Sequence, residues 1–310
     1  SDSFKPAAPQ YNVFLEFLPD PAGKGKDYGF SLNLFGGKLG LKVNKYETRQ
    51  VNSRSGPSAS TAGIVGLDYT ANAGGVFYDL QDQATLWLTA AATANGQTLT
   101  PEQLNSQLEK LMGILPRSFA SVQAISRSET DEILARGHEV ELHFNPTRYW
   151  TVQASVTEQQ TINTNMAPNV TKYAAQRMPY WTTIKDPRIN PAVEPSQLWW
   201  DHYYGGGNNE TPHQFFDRSI GAPLKVAQGL EGIARPQIRR YGGRLSTNFR
   251  LSGLTDQRIL KRFNIGGALR YESRGAIGFY GVQQLPASIT DYDIKRPSWD
   301  KPHTYVDALI

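Results

Sequence analysis

The sequence predicts an all-β fold: a partial transmembrane antiparallel β-barrel of about eight strands, with long loops that contain short helices. Three observations carry this reading. Segments alternate apolar and polar residues for about a membrane's thickness. Tight turns join them in pairs at one end. At the other end they run into loops spanning 52–137, 162–236 and 281–302, far longer than connections in ordinary domains.

In chain order, residues 11–18 read as a single strand without a clear partner. Pro19, Asp20, Pro21, Ala22, Gly23, Lys24, Gly25 and Lys26 form a polar breaker run. Tyr28, Phe30, Leu32 and Leu34 then alternate with Gly29, Ser31 and Asn33. The turn is Phe35-Gly36-Gly37-Lys38, and the chain returns as Leu39, Leu41 and Val43 against Gly40, Lys42 and Asn44.

The first long loop carries helical signals. Thr100 is a plausible N-cap with Pro101 at the first helical position. Leu104, Leu108, Leu111 and Leu115 follow near helical spacing, and a second helix is expected over 76–94.

The clearest hairpin comes next. Val140, Leu142 and Phe144 alternate with Glu139, Glu141 and His143. After a turn at Asn145-Pro146-Thr147-Arg148, Trp150, Val152, Ala154 and Val156 alternate with Thr151, Gln153, Ser155 and Thr157. A period of two gathers the apolar residues on one face and the polar ones on the other. A tilted strand of roughly 9–11 residues needs that pattern to face lipid on one side and a wet lumen on the other.

The second loop holds a short candidate helix over 167–178, ended by Pro179, and then the aromatic, Gly-rich run from Trp199 to Gly207. A third hairpin follows. Tyr241, Leu245, Thr247, Phe249 and Leu251 alternate with Gly242, Arg244, Ser246, Asn248 and Arg250, and a longer turn over 252–262 leads to Phe263, Ile265, Leu269 and Tyr271. Residues 305–310 look like a last strand.

Composition agrees with this architecture. Mean hydropathy is −0.47, and no stretch approaches the ~20 apolar residues of a spanning helix. For a barrel that decides nothing, because half of each strand is polar. With 28 Gly, 15 Tyr and 6 Trp the chain can supply turns and interfacial aromatics, and Tyr149 and Trp150 sit beside a tight turn. The absence of cysteine excludes disulfides, thiolate metal sites and thiol catalysis. A net charge of +4, spread along 310 residues, is not a nucleic-acid footprint. The first residues lack the apolar core of a signal peptide, which suggests a processed or internal piece.

A soluble antiparallel sandwich also alternates apolar and polar residues, with the apolar face turned to a core. The long strands and the lopsided loops weigh against it.

Several motifs resemble one family. Gly137-His138-Glu139-Val140-Glu141-Leu142, followed by Asn145-Pro146-Thr147 and Trp150, is similar to a hairpin common in TonB-dependent outer-membrane receptors. So are Lys26-Asp27-Tyr28-Gly29-Phe30 with Leu34 to Leu39, Asn163 to Pro168, and Phe263 to Tyr271 with Ala276-Ile277-Gly278 beyond it. The likeness is greatest to large receptors of the Verrucomicrobia–Opitutus kind, and it spans most of the chain. It implies a roughly 22-stranded barrel plugged by an N-terminal domain. Such receptors take up scarce nutrients (ferric chelates, vitamins or glycans) from the outer face of the bacterial outer membrane, driven by the TonB complex acting on the plug. This chain departs from that pattern. It shows no recognisable plug or TonB box and only about eight strands, so 1–310 is expected to be a barrel segment whose two edges need further strands.

Candidate sites divide accordingly. Trp199, Trp200, Asp201, His202, Tyr203 and Tyr204 offer aromatic planes for sugars or chelator rings; the plainer reading is an aromatic cluster packing the loop. Arg244, Arg250 and Arg270 face the expected lumen and could guide an anionic ligand or pair with plug carboxylates; the plainer reading is ordinary pairing with residues such as Glu272. His138 and His143 lie on opposite faces of one strand and cannot easily share an ion, whereas Glu139, Glu141 and His143 share the wet face. No catalytic motif is present.

The sequence therefore predicts a non-enzymatic receptor with no cofactor or metal. Its expected partners are outer-membrane lipid, a small-molecule or glycan ligand, and the TonB complex through a plug domain. The rival reading is a secreted soluble β-protein that binds glycans through its aromatic loops.

Overall fold

The computed structural model describes residues 2–4, 9–54, 58–69, 79–118, 121–122, 125–188, 198–202, 210–283 and 290–309. The strands are β1 Asp2–Phe4, β2 Ala22–Leu34, β3 Leu39–Ser53, β4 Asp131–Thr147, β5 Trp150–Thr164, β6 Tyr241–Arg250, β7 Asn264–Glu272, β8 Gly275–Gln283, β9 Thr290–Asp300 and β10 His303–Leu309. Among the described residues they build one eight-stranded antiparallel sheet, ordered β1-β2-β3-β4-β5-β6-β7-β10, and a separate β8-β9 pair. Strands β2 to β5 run 13, 15, 17 and 15 residues, against a usual strand of about 5–6.

Four sequence readings are corrected. Residues 11–18 form turns and isolated bridges from Tyr11 to Phe17 and Arg127, because Asn12 draws the chain round by accepting from Phe14 N and Glu16 N. The second hairpin turns on Arg148 and Tyr149 alone, since Thr147 pairs with Trp150 after an irregularity in the ladder. Much of the third expected loop is strand: β8 and β9 occupy most of it. Pro179 sits inside its helix rather than ending it.

Register decides what shares a face, since directly paired residues point the same way. Following the pairings across seven strands, Leu32, Leu41, Leu142, Ala154, Leu245, Leu269 and Val306 form one row. One step toward the tight turns lies the row of Leu34, Leu39, Phe144 and Val152. One step the other way lies the row of Phe30, Val43, Val140 and Val156. This apolar face is uncovered: Leu32 is 43%, Leu245 45% and Ile265 48% exposed. The rival sandwich reading would bury them in a dry interior, which this sheet does not form.

The apolar core lies elsewhere, and every buried apolar side chain among the described residues is outside the strands. The loops between β3 and β4 and between β5 and β6 fold into a helical cap. It comprises α1 Ser58–Tyr69, α2 Leu80–Ala94, α3 Pro101–Met112, α4 Pro168–Trp181, α5 Pro212–Phe216 and α6 Ala222–Gly229, the last two joined by a π turn over Asp217–Gly221. Ile64, Leu67, Leu80, Trp87, Leu108, Met112, Val170, Trp181, Trp199 and Ile220 pack its interior.

Local chemistry explains the helix ends. Thr100 and Gln103 form a reciprocal capping box on α3, and Gly113 ends that helix in the left-handed conformation. Ala167, ahead of α4, has no capping side chain. The buried Glu129 substitutes, accepting from Val170 N at 2.7 Å and Asn169 Nδ2 at 2.8 Å. Among the described residues no helix is long and apolar enough to cross a membrane, which says nothing about crossing by strands.

Candidate functional site

The face of the sheet opposite the apolar rows is polar and hollow. Two adjoining cavities of about 550 and 660 Å³ lie on it. Glu141, Ser155 and Arg244 line both. The central row is Ser31, Lys42, Glu141, Ser155, Arg244, Arg270 and Tyr305. Beside it on one side stand Glu139, Thr157, Gly242, Glu272 and His303, and on the other His143, Gln153 and Ser246. Alternation puts each of these side chains here because its strand neighbours are the apolar rows behind.

The electrostatics are uneven. Arg270 lies with its guanidinium 4.3 Å from the centre of the Tyr305 ring and its Nε 3.7 Å from Glu272 Oε1. Arg239 places Nε 3.4 Å from Glu272 Oε2 and also pairs with Asp300. Arg244 stands directly opposite Arg270. Among the described residues no carboxylate lies within 4.0 Å of the Arg244 guanidinium. Two guanidinium groups side by side, one balanced and one not, give this part of the face a local positive field suited to an anion or a planar carboxylate.

Gly137 shows how closely the rows approach. A Cβ there would fall 2.1 Å from Glu158 O and 2.7 Å from Tyr46 Oη, so the Tyr46 ring covers a strand that only glycine leaves open.

The expected site residues do not gather in one place. Arg244 and Arg270 are neighbours. Arg250 is six residues along β6, at the tight-turn end opposite Asn264, roughly 20 Å away at ~3.4 Å per residue. Trp199 and Trp200 are 0% and 4% exposed. Trp200 stacks on Trp181 with centroids 5.8 Å apart and planes at 4°. Buried rings offer no face to a ligand, so the stacking platform expected of them is a core of the cap. Asp201 is exposed and accepts from His213 Nδ1 at 2.9 Å if that nitrogen carries the proton. His202 lies beside it, outside the hollow face, while Tyr203 and Tyr204 lie outside the described residues. Among the described residues no cluster of three His, Asp or Glu side chains could hold a metal. Glu272 pairs with Arg270 as the plainer sequence reading expected, whereas Lys42, Arg239 and Tyr305 were not singled out as site residues, because alternation fixes a residue's face but not which strands adjoin.

No protein-family model matches the chain, and no curated protein matches it. Solved structures do. The pyoverdine outer-membrane receptor FpvA of Pseudomonas aeruginosa PAO1, bound to pyoverdine, is 11% identical at a TM-score of 0.42–0.43 across its several structures and covers 99% of this chain and 26% of its own. The alcaligin outer-membrane receptor FauA of Bordetella pertussis is 13% identical at a TM-score of 0.36, covering 89% of this chain and 27% of its own. The chain thus spans about a quarter of the length of the solved structures it matches.

Proposed function

We propose that this chain forms part of the wall of an outer-membrane β-barrel receptor that takes up a scarce nutrient. The observation that carries the reading is the uncovered apolar face continuous across the strands, backed by a wet, charged face. Glu158 follows Trp150 by eight residue steps, roughly 27 Å of strand at ~3.4 Å per residue. Tilted by about 40°, that is ~20 Å of height, close to the ~25 Å apolar band of a transmembrane barrel. Trp150 and Phe249, in edge contact at 6.5 Å, lie at one border, and Tyr28 and Tyr241 at the other, where amphipathic rings favour an interface. The strand edges at β1 and β10 pair with further strands in this reading, closing a larger barrel of roughly 22 strands. The helical cap lies on the extracellular side.

The lumen-facing Arg244 and Arg270 favour an anionic ligand, such as a ferric chelate, over a neutral glycan. Energy comes from the TonB complex through a plug domain elsewhere in the polypeptide. A soluble glycan-binding protein would not leave Leu32, Leu245 and Ile265 open to water.

The test is electrophoresis of isolated outer membranes with and without boiling. A receptor runs as a heat-modifiable band several times 34.5 kDa. A soluble species near that mass, indifferent to boiling, overturns the reading.

A further inference from the structure

We propose that the helical cap holds a small-molecule site of its own, which takes a single-ring aromatic carboxylate. The site is a cavity of about 190 Å³. It shares no lining residue with the two cavities on the hollow face of the sheet, so it stands apart from the membrane-wall reading above. An apolar cavity of about 150 Å³ already takes one benzene ring, so this one has room for a ring and a short acid arm.

The walls come from three parts of the chain. Val65 and Tyr69, four residues apart on one face of α1, and Tyr173 of α4 are buried at its base. Phe14 and Leu15 close it from the segment ahead of β2. Leu115 and Arg117, just past the end of α3, are exposed and flank the opening. Phe14 and Tyr173 meet edge to face with ring centres 5.3 Å apart. A flat ring lying against them gains the edge and face contacts that aromatic groups prefer.

The polar groups select the charge of the ligand. The Tyr69 hydroxyl donates to Leu115 O at 2.8 Å and the Tyr173 hydroxyl to Asp68, so both protons are already used. Arg117 is the donor that remains. Burial, and then the charge of Asp68, raise the Tyr69 phenol, while Arg117 pulls it the other way by its charge and by a hydrogen bond. Its guanidinium therefore reaches the Tyr69 oxygen at the rim of the cavity. Among the described residues no carboxylate lies within 4.0 Å of that guanidinium. A ligand carboxylate would fill its fork with two parallel bonds, and the ring would lie in the apolar part. A neutral ring leaves the cation unused, and an inorganic anion leaves the cavity empty.

The backbone points the same way. Leu15 stands at φ 66°, a left-handed conformation that is costly for a residue other than glycine. The turn is fixed by Asn12, whose side chain accepts from Phe14 N at 2.8 Å and Glu16 N at 3.1 Å. The strained residue lines the cavity, and strain of this kind gathers at ligand sites.

The experiment is a ligand-observed NMR titration of the purified protein in mild detergent with phenylacetate, 2-phenylethanol, hexanoate and acetate. Phenylacetate should bind at one saturable site, 2-phenylethanol roughly 10- to 100-fold more weakly, and acetate not at all. Arg117→Gln, at an exposed position, should bring phenylacetate down to the affinity of 2-phenylethanol and leave the alcohol unchanged. Val65→Phe, which fills the cavity, should abolish binding of both while the melting transition read by tryptophan fluorescence is kept. If that variant loses its transition, Arg117→Gln decides alone. No binding of phenylacetate, equal affinity for the acid and the alcohol, or an Arg117→Gln protein that binds phenylacetate as before overturns the site. Phenylacetate retained by a folded Val65→Phe protein places the ligand elsewhere and overturns it too. Hexanoate bound more tightly than phenylacetate overturns the aromatic class. None of these outcomes bears on the membrane-wall reading, which the boiling test decides by itself.

Discussion

Arg177 of α4 grips Asp68 of α1 from 109 residues away, through Nε to Oδ2 at 3.0 Å and Nη2 to Oδ1 at 2.8 Å. Tyr173 Oη and Trp181 Nε1 donate to the same carboxylate at 2.8 and 3.0 Å. Residues 173, 177 and 181 recur every four positions and so share one face of α4. Arg177 also donates from Nη1 to Met112 O at 2.7 Å, tying in the end of α3. One buried carboxylate thus receives four hydrogen bonds and locks three helices. It also explains how α4 continues past Pro179, whose missing N–H and ring clash would normally end a helix: Trp181 is fixed by Asp68 and by its stack on Trp200.

Removing one partner should therefore be costly. Arg177→Leu leaves a buried carboxylate without its cation, and the cap should lose about 3–5 kcal/mol. Adding Asp68→Asn should restore part of the loss, because the stranded charge is gone. Thermal unfolding read by tryptophan fluorescence checks this, since Trp87, Trp181, Trp199 and Trp200 all lie in the cap core.

Alkali should loosen the cap. Burial first, and then the charge of Asp68, push the Tyr173 and Tyr69 phenols well above their ordinary range. The unfolded phenols ionise near pH 10. The stabilisation is thus fully present below about pH 10 and is lost as pH rises from there toward the folded-state values. The melting temperature of the cap should fall above about pH 10, and Tyr69→Phe with Tyr173→Phe should flatten that fall. A melting temperature that climbs in alkali would contradict the assignment.

Glu129 should behave as the N-cap that α4 lacks in its own sequence. Glu129→Ala should destabilise the cap by about 1–3 kcal/mol, the range for losing a cap together with buried acceptors. Glu129→Gln, which keeps one acceptor oxygen, should cost less. Hydrogen exchange at the Val170 amide reports the local opening directly.

The two faces of β6 should respond oppositely to charge. Leu245→Arg, in the middle apolar row, should cost about 2–4 kcal/mol of barrel stability in lipid. Ser246→Arg, one residue on and facing the hollow, should cost little. Urea titration in lipid vesicles compares the two, and equal costs would mean that the faces do not differ in solvent.

The strands of the three hairpins were legible because alternation is a local signal that lies directly in the residues. Thr100 and Pro101 likewise announced the start of α3, whereas its end at Gly113, ahead of Leu115, was not read. Two things were not legible. Register, which sets Arg244 opposite Arg270 and Lys42 beside Glu141, depends on pairings between strands up to about a hundred residues apart. The fate of Trp199 and Trp200 depends on α1 and α4 meeting around Asp68, and an aromatic run reads the same in sequence whether it caps a core or faces a ligand. α1 went unseen for the same reason: Ile64, Val65 and Leu67 show no polar face because the helix is buried nearly all round.

The central claim is that the apolar rows face lipid. The chain has no cysteine, so single cysteines at 243 through 249 can each carry a nitroxide label in the protein reconstituted in lipid. The account predicts a strict period of two. Labels at 243, 245, 247 and 249 should be reached by oxygen dissolved in the bilayer and shielded from a water-soluble nickel complex, and labels at 244, 246 and 248 the reverse. Uniform exposure to the aqueous quencher along the strand would contradict it.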